Sequence, residues 1–283
     1  MLTLMMSSSQ LRKLLIGDFT WQRLIRSLIF IYLFFAGYVF WRADSMIFHP
    51  PPVSYSEGGG ILGEEILKLT TPDEEKIAAV HLPNPDAHYT LLYVHGNAED
   101  LGQIQPVLNL LYDAGFSVFA YDYRGYGLSE GQPSEANAYE DINTAYGYLT
   151  ETLEIPPDQI IVFGRSVGGG SAIDLASRET VGGVIVESAF TSAFRVVVPF
   201  PILPFDKFPN RAKLPEIQVP VLFIHGKADQ TVPFHHSQTL YTVANDPKLA
   251  LWVEGAQHND LVWVAGKQYT EILKTFERWV KMR

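Results

Sequence analysis

The chain is predicted to fold as an α/β protein, a mostly parallel sheet with helices on both faces, preceded by one N-terminal transmembrane helix. Three observations predict it. From about residue 61 onward, short apolar runs alternate with stretches of helical spacing. Near the N-terminus, Ser27 to Trp41 is apolar and uncharged. Finally, Gly164-Arg165-Ser166-Val167-Gly168 stands where an apolar run gives way to a small-residue helical stretch, the composition of a sharp strand-to-helix turn.

In chain order, the apolar segment comes first. Arg26 and Arg42 bracket it. As a helix the uncharged stretch measures roughly 22 Å against a hydrocarbon core of about 30 Å. Including Leu24 and Ile25 and letting both arginines snorkel brings residues 24–42 to spanning length. Tyr38 and Trp41 fall where an interfacial aromatic belt lies. Residues 1–44 carry five basic side chains against Asp18 and Asp44, and most of the excess precedes the segment. The positive-inside rule therefore puts residues 1–23 in the cytoplasm and the C-terminal domain across the membrane. Two alternatives stand beside a signal-anchor: a signal peptide cleaved near Ala43-Asp44-Ser45, giving a secreted protein, and a buried helix of the main domain.

Residues 43–60 contain Pro50-Pro51-Pro52 and Gly58-Gly59-Gly60 and read as an extended connector. The folded domain is then 61–283. Its strands are expected at Ile61–Thr71, Lys76–Leu82, Tyr89–Val94, Phe116–Tyr121, Ile160–Phe163, Gly183–Val186, Val219–Ile224 and Ala250–Val253. Helices are expected at Leu101–Asp113, Glu135–Leu153, Val167–Arg178, Phe234–Ala244 and Val262–Lys281. In such sheets function collects in the loops at the carboxyl ends of the strands.

Composition narrows the chemistry. The chain has 283 residues, is 47% hydrophobic and carries a net charge of −10. Because residues 1–44 are net basic, the main domain is more acidic still, which argues against a nucleic-acid partner. There are no cysteines, so a thiol nucleophile, disulfides and thiolate zinc sites are excluded. No metal-ligand spacing occurs, and Gly125-x-Gly127-x-x-x-Gly131 departs from the dinucleotide pattern, so no cofactor is implied.

The pentapeptide around Ser166 points to nucleophilic catalysis. Its two glycines relieve the crowding of a turn that pushes the serine hydroxyl outward, above a helix N-terminus that favours negative charge. A serine hydroxyl needs a base, and the base needs a group to fix its tautomer. Asp229 follows one predicted strand, in His225-Gly226-Lys227-Ala228-Asp229, and His258 follows the next, in Gly255-Ala256-Gln257-His258-Asn259-Asp260. The order Ser166, Asp229, His258 is that of a hydrolase triad on a parallel sheet. Asp260 is a rival acid but lies two residues from His258; Glu254 and Asp246 are placed less well. His95 and His225 read as loop-shaping. The oxyanion donors are assigned to the backbone N–H groups of Val167 and Asn97, with Ala98 an alternative to the second.

Tyr93-Val94-His95-Gly96-Asn97-Ala98, Tyr121 to Ser129, Gly164 to Gly169, His225 to Asp229 and Gln257 to Asp260 together resemble the alpha/beta-hydrolase superfamily. More narrowly, they resemble its small-lid, N-terminally membrane-anchored branch with a serine-aminopeptidase-like domain. Phe48-His49-Pro50-Pro51 is similar to the exit from the anchor in that branch. The resemblance covers about residues 45–283. It implies an alpha/beta-hydrolase fold with a short lid. Members include depalmitoylases and lysophospholipases, which implies an acyl ester or thioester substrate. The depalmitoylases carry N-terminal cysteines for lipid attachment; this chain offers an apolar helix there instead.

The connection at about 190–214 commonly houses the lid in this fold. It is rich in apolar residues and prolines, and Phe190, Phe194, Phe200 and Phe205 are candidate acyl-chain contacts; a proline-stiffened packing loop is the alternative. The sequence thus predicts a membrane-anchored serine hydrolase. A peptidase or amidase, or a membrane-tethered binding protein on the same fold, are the competing readings.

Overall fold

The computed structural model describes residues 20–282. Most of the predicted cytoplasmic segment, residues 1–19, lies outside the described residues. Helix α1 (Trp21–Ile47) runs 27 residues, about 40 Å at the α-helical rise, and is long and apolar enough to cross a membrane. It exceeds the expected 24–42 span at both ends. Phe30, Leu33, Phe34, Phe40 and Trp41 are exposed along it, not covered as a core helix requires. Contacts divide the chain after Ala43 into this unit and a second one beginning at Asp44.

The second unit is built on an eight-stranded sheet in the order β1-β2-β4-β3-β5-β6-β7-β8. The strands are β1 (Leu67–Thr70), β2 (Lys76–Leu82), β3 (Thr90–Val94), β4 (Ser117–Tyr121), β5 (Ile160–Arg165), β6 (Gly183–Glu187), β7 (Val221–Gly226) and β8 (Lys248–Val253). β1 and β2 pair antiparallel, as do β2 and β4; every other pair is parallel. The helices are α2 (Gln105–Asp113), α3 (Glu135–Gly147), α4 (Gly168–Arg178), the short α5 (Asn210–Lys213), α6 (His235–Val243), α7 (Leu261–Ala265) and α8 (Lys267–Lys281). One core joins α3, α4 and α6 to one sheet face through Ile142, Ile173 and Leu240. A second joins α2, α7 and α8 to the other through Leu108, Leu261 and Phe276. This is the alpha/beta-hydrolase fold.

Parallel register aligns the carboxyl ends of the central strands: Val94 opposite Gly164, Arg165 opposite Glu187, and Gly226 opposite Val253. The chain leaves β3 toward β4 on one side and β5 toward β6 on the other, so the loops after β3 and β5 diverge. That divergence is a topological switch point, where open sheets place their ligands.

Several boundaries differ from expectation for local reasons. Leu62 and Gly63 both have positive φ (52° and 90°), and the Ile61 and Glu64 N–H and C=O groups pair across them at 2.9 Å. This primed-type turn ends the expected Ile61–Thr71 strand before β1 begins. Pro106 lies in the first turn of α2, where its missing N–H costs nothing, so Leu101–Ile104 form a separate turn. α3 is capped by the Ser134 side chain, which accepts from the Asn137 N–H at 3.1 Å, and passes into a π turn at Tyr148–Thr152. Gly266 (φ 53°) splits the expected Val262–Lys281 helix into α7 and α8.

The larger correction concerns residues 43–60. They are not a free connector along their whole length. Phe48 is buried against Tyr123, Tyr126 and Phe208, and Ser54 and Tyr55 hydrogen-bond to Asp100 and Asp122. Prolines after Phe48 keep the segment extended, and the buried ring fixes one end of it to the domain.

Candidate active site

Ser166 follows β5 directly and heads toward α4. Its φ of 53° is left-handed, an uncommon conformation for a side-chain-bearing residue that thrusts the hydroxyl out of the strand. The flanking glycines are required by close approach. A Cβ on Gly164 would meet the Gly169 Cα at 2.6 Å, and one on Gly168 would meet the His95 carbonyl oxygen at 2.7 Å. The Ser166 N–H donates to the Glu187 carbonyl at 2.8 Å, tying the turn to β6.

His258 and Asp229 converge on this serine from the loops after β8 and β7. His258 Nε2 lies 3.1 Å from Ser166 Oγ, and His258 Nδ1 lies 2.7 Å from Asp229 Oδ2. All three side chains are largely buried. Asp229 Oδ1 accepts the N–H groups of Thr231 at 2.9 Å and Val232 at 2.8 Å. Burial alone raises the Asp229 carboxyl, but hydrogen bonds from His225 and His258, with the Val232 N–H, hold it well below the usual carboxylate range. The imidazole therefore faces a carboxylate, not a carboxylic acid. His225 Nε2 reaches the same carboxylate at 3.2 Å, and its Nδ1 pairs with Ser237 Oγ at 2.6 Å. The same Nε2 lies 2.9 Å from the Val232 carbonyl, so His225 shapes its loop, as expected, and also stands beside the acid of the triplet.

The rival acids do other work. Asp260 Oδ1 accepts the Gln257 N–H at 2.7 Å and shapes the histidine loop. Glu254 pairs with Lys227 at 2.8 Å.

Of the two predicted anion-facing N–H groups, Val167 stands at the N-cap of α4, where helix N–H groups have no internal acceptor. Asn97 lies in the turn after β3. The Ala98 N–H, its alternative, is taken by Asn97 Oδ1 at 2.9 Å. Neither the Asn97 nor the Val167 N–H makes a hydrogen bond among the described residues. His95 does shape this turn: its ring lies 3.2 Å from Asp122, and its carbonyl accepts from Tyr123 Oη at 2.7 Å.

Arg165 was not singled out from sequence, yet its guanidinium joins the loops. Nη1 donates to Glu99 Oε1 at 2.5 Å, and that oxygen also accepts the Gly96 N–H at 2.6 Å. Nη2 donates to the His258 carbonyl at 3.0 Å and to Asn259 Oδ1 at 2.9 Å, while Nε lies 3.4 Å from Glu187. Burial pushes the Glu187 carboxyl up, partly offset by Arg165 and by the Tyr269 hydroxyl at 2.6 Å. The only sequence signal was the identity of the residue before the serine; its partners are set by strand register. A cavity of about 240 Å³ opens here, lined by Tyr93, Glu99, Arg165, Glu187, His258 and Trp263.

The predicted lid residues separate into two sets. Phe190 is a core residue, not an outer wall: it is 5% exposed, packs on Phe208, and shares a cluster with Val167 and Ala189. Phe194 and Phe205 stack edge-on at 6.0 Å above a base fixed by Asp206, which accepts from Ser192 at 2.8 Å and Arg195 at 3.0 Å. Phe200 is 61% exposed, and Val197 and Ile202, close to it in sequence, are exposed as well. Among the described residues, no group of three or more His, Cys, Asp or Glu side chains is arranged to hold a metal ion.

A nucleophile-type turn on β5, with histidine and aspartate loops at the same sheet edge, defines the architecture of an alpha/beta-type hydrolase. Comparison with known proteins agrees. A family profile described as serine aminopeptidase, S33, matches residues 85–204. The chain is 43% identical over 196 residues to alpha/beta hydrolase domain-containing protein 17B of Xenopus tropicalis, covering 68% of this chain and 67% of that protein. It is 40% identical over 200 residues to alpha/beta hydrolase domain-containing protein aho-3 of Caenorhabditis elegans, covering 69% of this chain and 59% of that one. The match thus spans about three fifths to two thirds of these relatives. An esterase of Pyrococcus furiosus superposes with a TM-score of 0.67 at 20% identity, covering 82% of this chain and all of that chain; at this identity the likeness is one of fold. The chain belongs to the alpha/beta-hydrolase superfamily.

Proposed function

We propose that the protein is a membrane-anchored serine hydrolase that cleaves carboxylic ester or thioester bonds of acyl or lipid-like substrates through an acyl-enzyme on Ser166. The observation that carries this reading is the hydrogen-bonded line from Asp229 through His258 to Ser166, at 2.7 and 3.1 Å. His258 Nε2 takes the Ser166 proton as Oγ attacks the carbonyl carbon. The oxyanion is held by the Val167 and Asn97 N–H groups. As the tetrahedral adduct collapses, His258 gives the proton to the departing alcohol or thiol. Water then attacks the acyl-enzyme, His258 again removing and returning the proton, and the acid is released. Asp229 stays ionised, fixes the imidazole tautomer and stabilises the imidazolium.

The acyl part of the reading is supported by the apolar lid, where Phe194, Phe205 and the exposed Phe200 offer a wall to a hydrocarbon chain. Anchoring is supported by the length and apolar surface of α1. The basic residues before it argue for a cytoplasmic N-terminus with the hydrolase domain on the opposite side. The acidic charge of the domain disfavours polyanionic substrates.

Fluorophosphonate labelling tests the nucleophile. Full-length protein is expected to label, and Ser166→Ala is expected not to; equal labelling of both refutes the mechanism. A p-nitrophenyl ester series from acetate to octanoate and longer tests the substrate class. Acetate turned over as well as octanoate removes the acyl-chain role of the lid. Alkaline carbonate extraction and protease protection in sealed membranes test anchoring and orientation.

A further inference from the structure

The segment leaving α1 is stitched to the turn that follows β3. Phe48 is 4% exposed, its ring centroid 6.1 Å from Tyr123, 6.4 Å from Tyr126 and 6.1 Å from Phe208. With that ring buried, its chain neighbours are brought to Asn97. The His49 N–H donates to Asn97 Oδ1 at 2.8 Å, and Asn97 Nδ2 donates to the Ile47 carbonyl at 2.6 Å and meets His49 Nδ1 at 3.1 Å. Tyr126 Oη donates to the same Oδ1 at 2.6 Å. Farther along, the Ser54 N–H donates to Asp100 Oδ2 at 2.8 Å, and the Tyr55 hydroxyl donates to Asp122 Oδ2 at 2.5 Å. Asp122 Oδ1 in turn accepts the Leu101 N–H at 2.9 Å.

The side-chain amide of Asn97 is therefore fully committed to holding this segment and the loop after β4. None of its capacity is left for a substrate. Its backbone N–H, by contrast, makes no bond among the described residues. The next residue, Ala98, has φ of 58° and no glycine's freedom to relieve it, so the turn is a conformation that needs outside restraint. Glu99 and Tyr123 hold the Gly96 and His95 backbone on the near side of the turn; at Asn97 and Asp100 the restraint comes from residues 47–55 and from Tyr126.

We infer that the segment from Ile47 to Tyr55 is a positioning strap: through Asn97 and Asp100 it holds the turn that presents the second oxyanion donor. This rests on the serine-hydrolase reading above and extends it to a stretch whose composition suggests only a spacer. Asn97 acts twice, its side chain as the latch and its backbone N–H as the donor. Phe48 is a positioning residue that touches no reacting atom. A donor displaced by about 1 Å loses much of its effect on the transition state while leaving substrate binding nearly intact.

The experiment uses full-length protein in detergent with p-nitrophenyl butyrate as substrate. An alkyl trifluoromethyl ketone serves as inhibitor; Ser166 Oγ adds to its carbonyl carbon while the proton passes to His258, leaving an oxyanion in the donor site. Phe48→Ala and Asn97→Ala are expected to lower kcat/KM by about 10- to 100-fold with KM changed less than about 3-fold. The Ki of the ketone is expected to weaken by the same factor as kcat/KM, a parallel that loss of folded protein does not produce. Wild-type kcat and Ki in both variants overturn the strap. Where Phe48→Ala fails to fold, Phe48→Leu, which keeps an apolar but shorter plug, gives the same reading with Asn97→Ala. Ser166→Ala separates the two ideas. If it retains hydrolysis, the nucleophile assignment fails; if it is inactive while the strap variants match wild type, the strap alone fails.

Discussion

Arg165 donates from Nη2 to the backbone carbonyl of His258 at 3.0 Å, so the residue that precedes the serine in sequence grips the loop that delivers the histidine. The same guanidinium reaches Glu99 beside the turn after β3 and Glu187 at the end of β6. One cation thus spans the loops of three strand ends, with only 12% of its side chain exposed. Planar donors pointing in several directions make this possible; a lysine ammonium is a single point charge on a flexible stem.

Replacing Arg165 is therefore predicted to act on stability and geometry together. Arg165→Ala leaves the Glu187 carboxylate, 2% exposed, without its cation. Loss of one partner of a buried pair costs about 3–5 kcal/mol, measurable by urea denaturation. Arg165→Lys restores charge but not the bond to the His258 carbonyl, so it is expected to recover most of the stability and little of kcat. Full recovery of kcat by lysine would show that charge alone matters.

Gly168→Ala is predicted to damage the serine turn from beneath. The added methyl meets the carbonyl oxygens of Val94, the last residue of central strand β3, and of His95 directly after it, and paired backbone of this kind withdraws only at a cost. Forced overpacking costs about 1–3 kcal/mol, and the displaced helix start moves the Val167 N–H. Loss of thermal stability together with slower fluorophosphonate labelling is the expected outcome; unchanged values of both would mean that the turn relaxes freely.

The serine, histidine and aspartate were legible because each follows a strand and because loops at one edge of a parallel sheet must converge. The place of Asn97 in the turn after β3 was legible for the same reason, and the structure adds that the Ala98 N–H is already bonded. What escaped was long-range pairing with no periodic signature. Phe48 lies in a stretch whose prolines and glycines suggest a tether, yet one buried ring turns half of it into part of the domain. Arg165 sat inside the motif itself, but Glu99, Glu187 and Asn259 come from separate loops whose register no local pattern encodes. Phe190 falls in the lid connection by sequence yet lies in the core, because apolar spacing does not tell a wall from a core.

Asp229→Asn tests the acid. The asparagine can keep the shape of the site and still accept from Thr231 and Val232, but it offers no negative charge to the imidazolium and permits the wrong tautomer. By analogy with the general behaviour of such triplets, kcat is expected to fall about 10⁴-fold with the fold intact. Asp260→Asn serves as the contrast, because Asp260 is occupied by the Gln257 N–H. It is expected to change kcat far less, and an equal loss in both variants would reassign the acid.

His236 gives the fold an acid-side weakness separate from the serine chemistry. It is 1% exposed, and its Nδ1 accepts from the Thr191 N–H at 3.3 Å and lies 3.0 Å from the Thr191 hydroxyl. Burial, with His235 stacked at 4.4 Å and His225 nearby, lowers its pKa to about 4 despite the opposing Asp229 charge. An unfolded chain binds this proton below the ordinary imidazole value of about 6.5, whereas the folded one resists until about 4. Stability from this group is therefore complete above that ordinary value and declines as the pH falls toward 4, by about 3 kcal/mol in all. Urea unfolding midpoints measured between pH 7 and 4 should fall along this window in wild type. They should fall less steeply in His236→Leu, which starts lower because Thr191 loses its acceptor. Parallel pH dependences in the two proteins would assign the acid sensitivity to other groups.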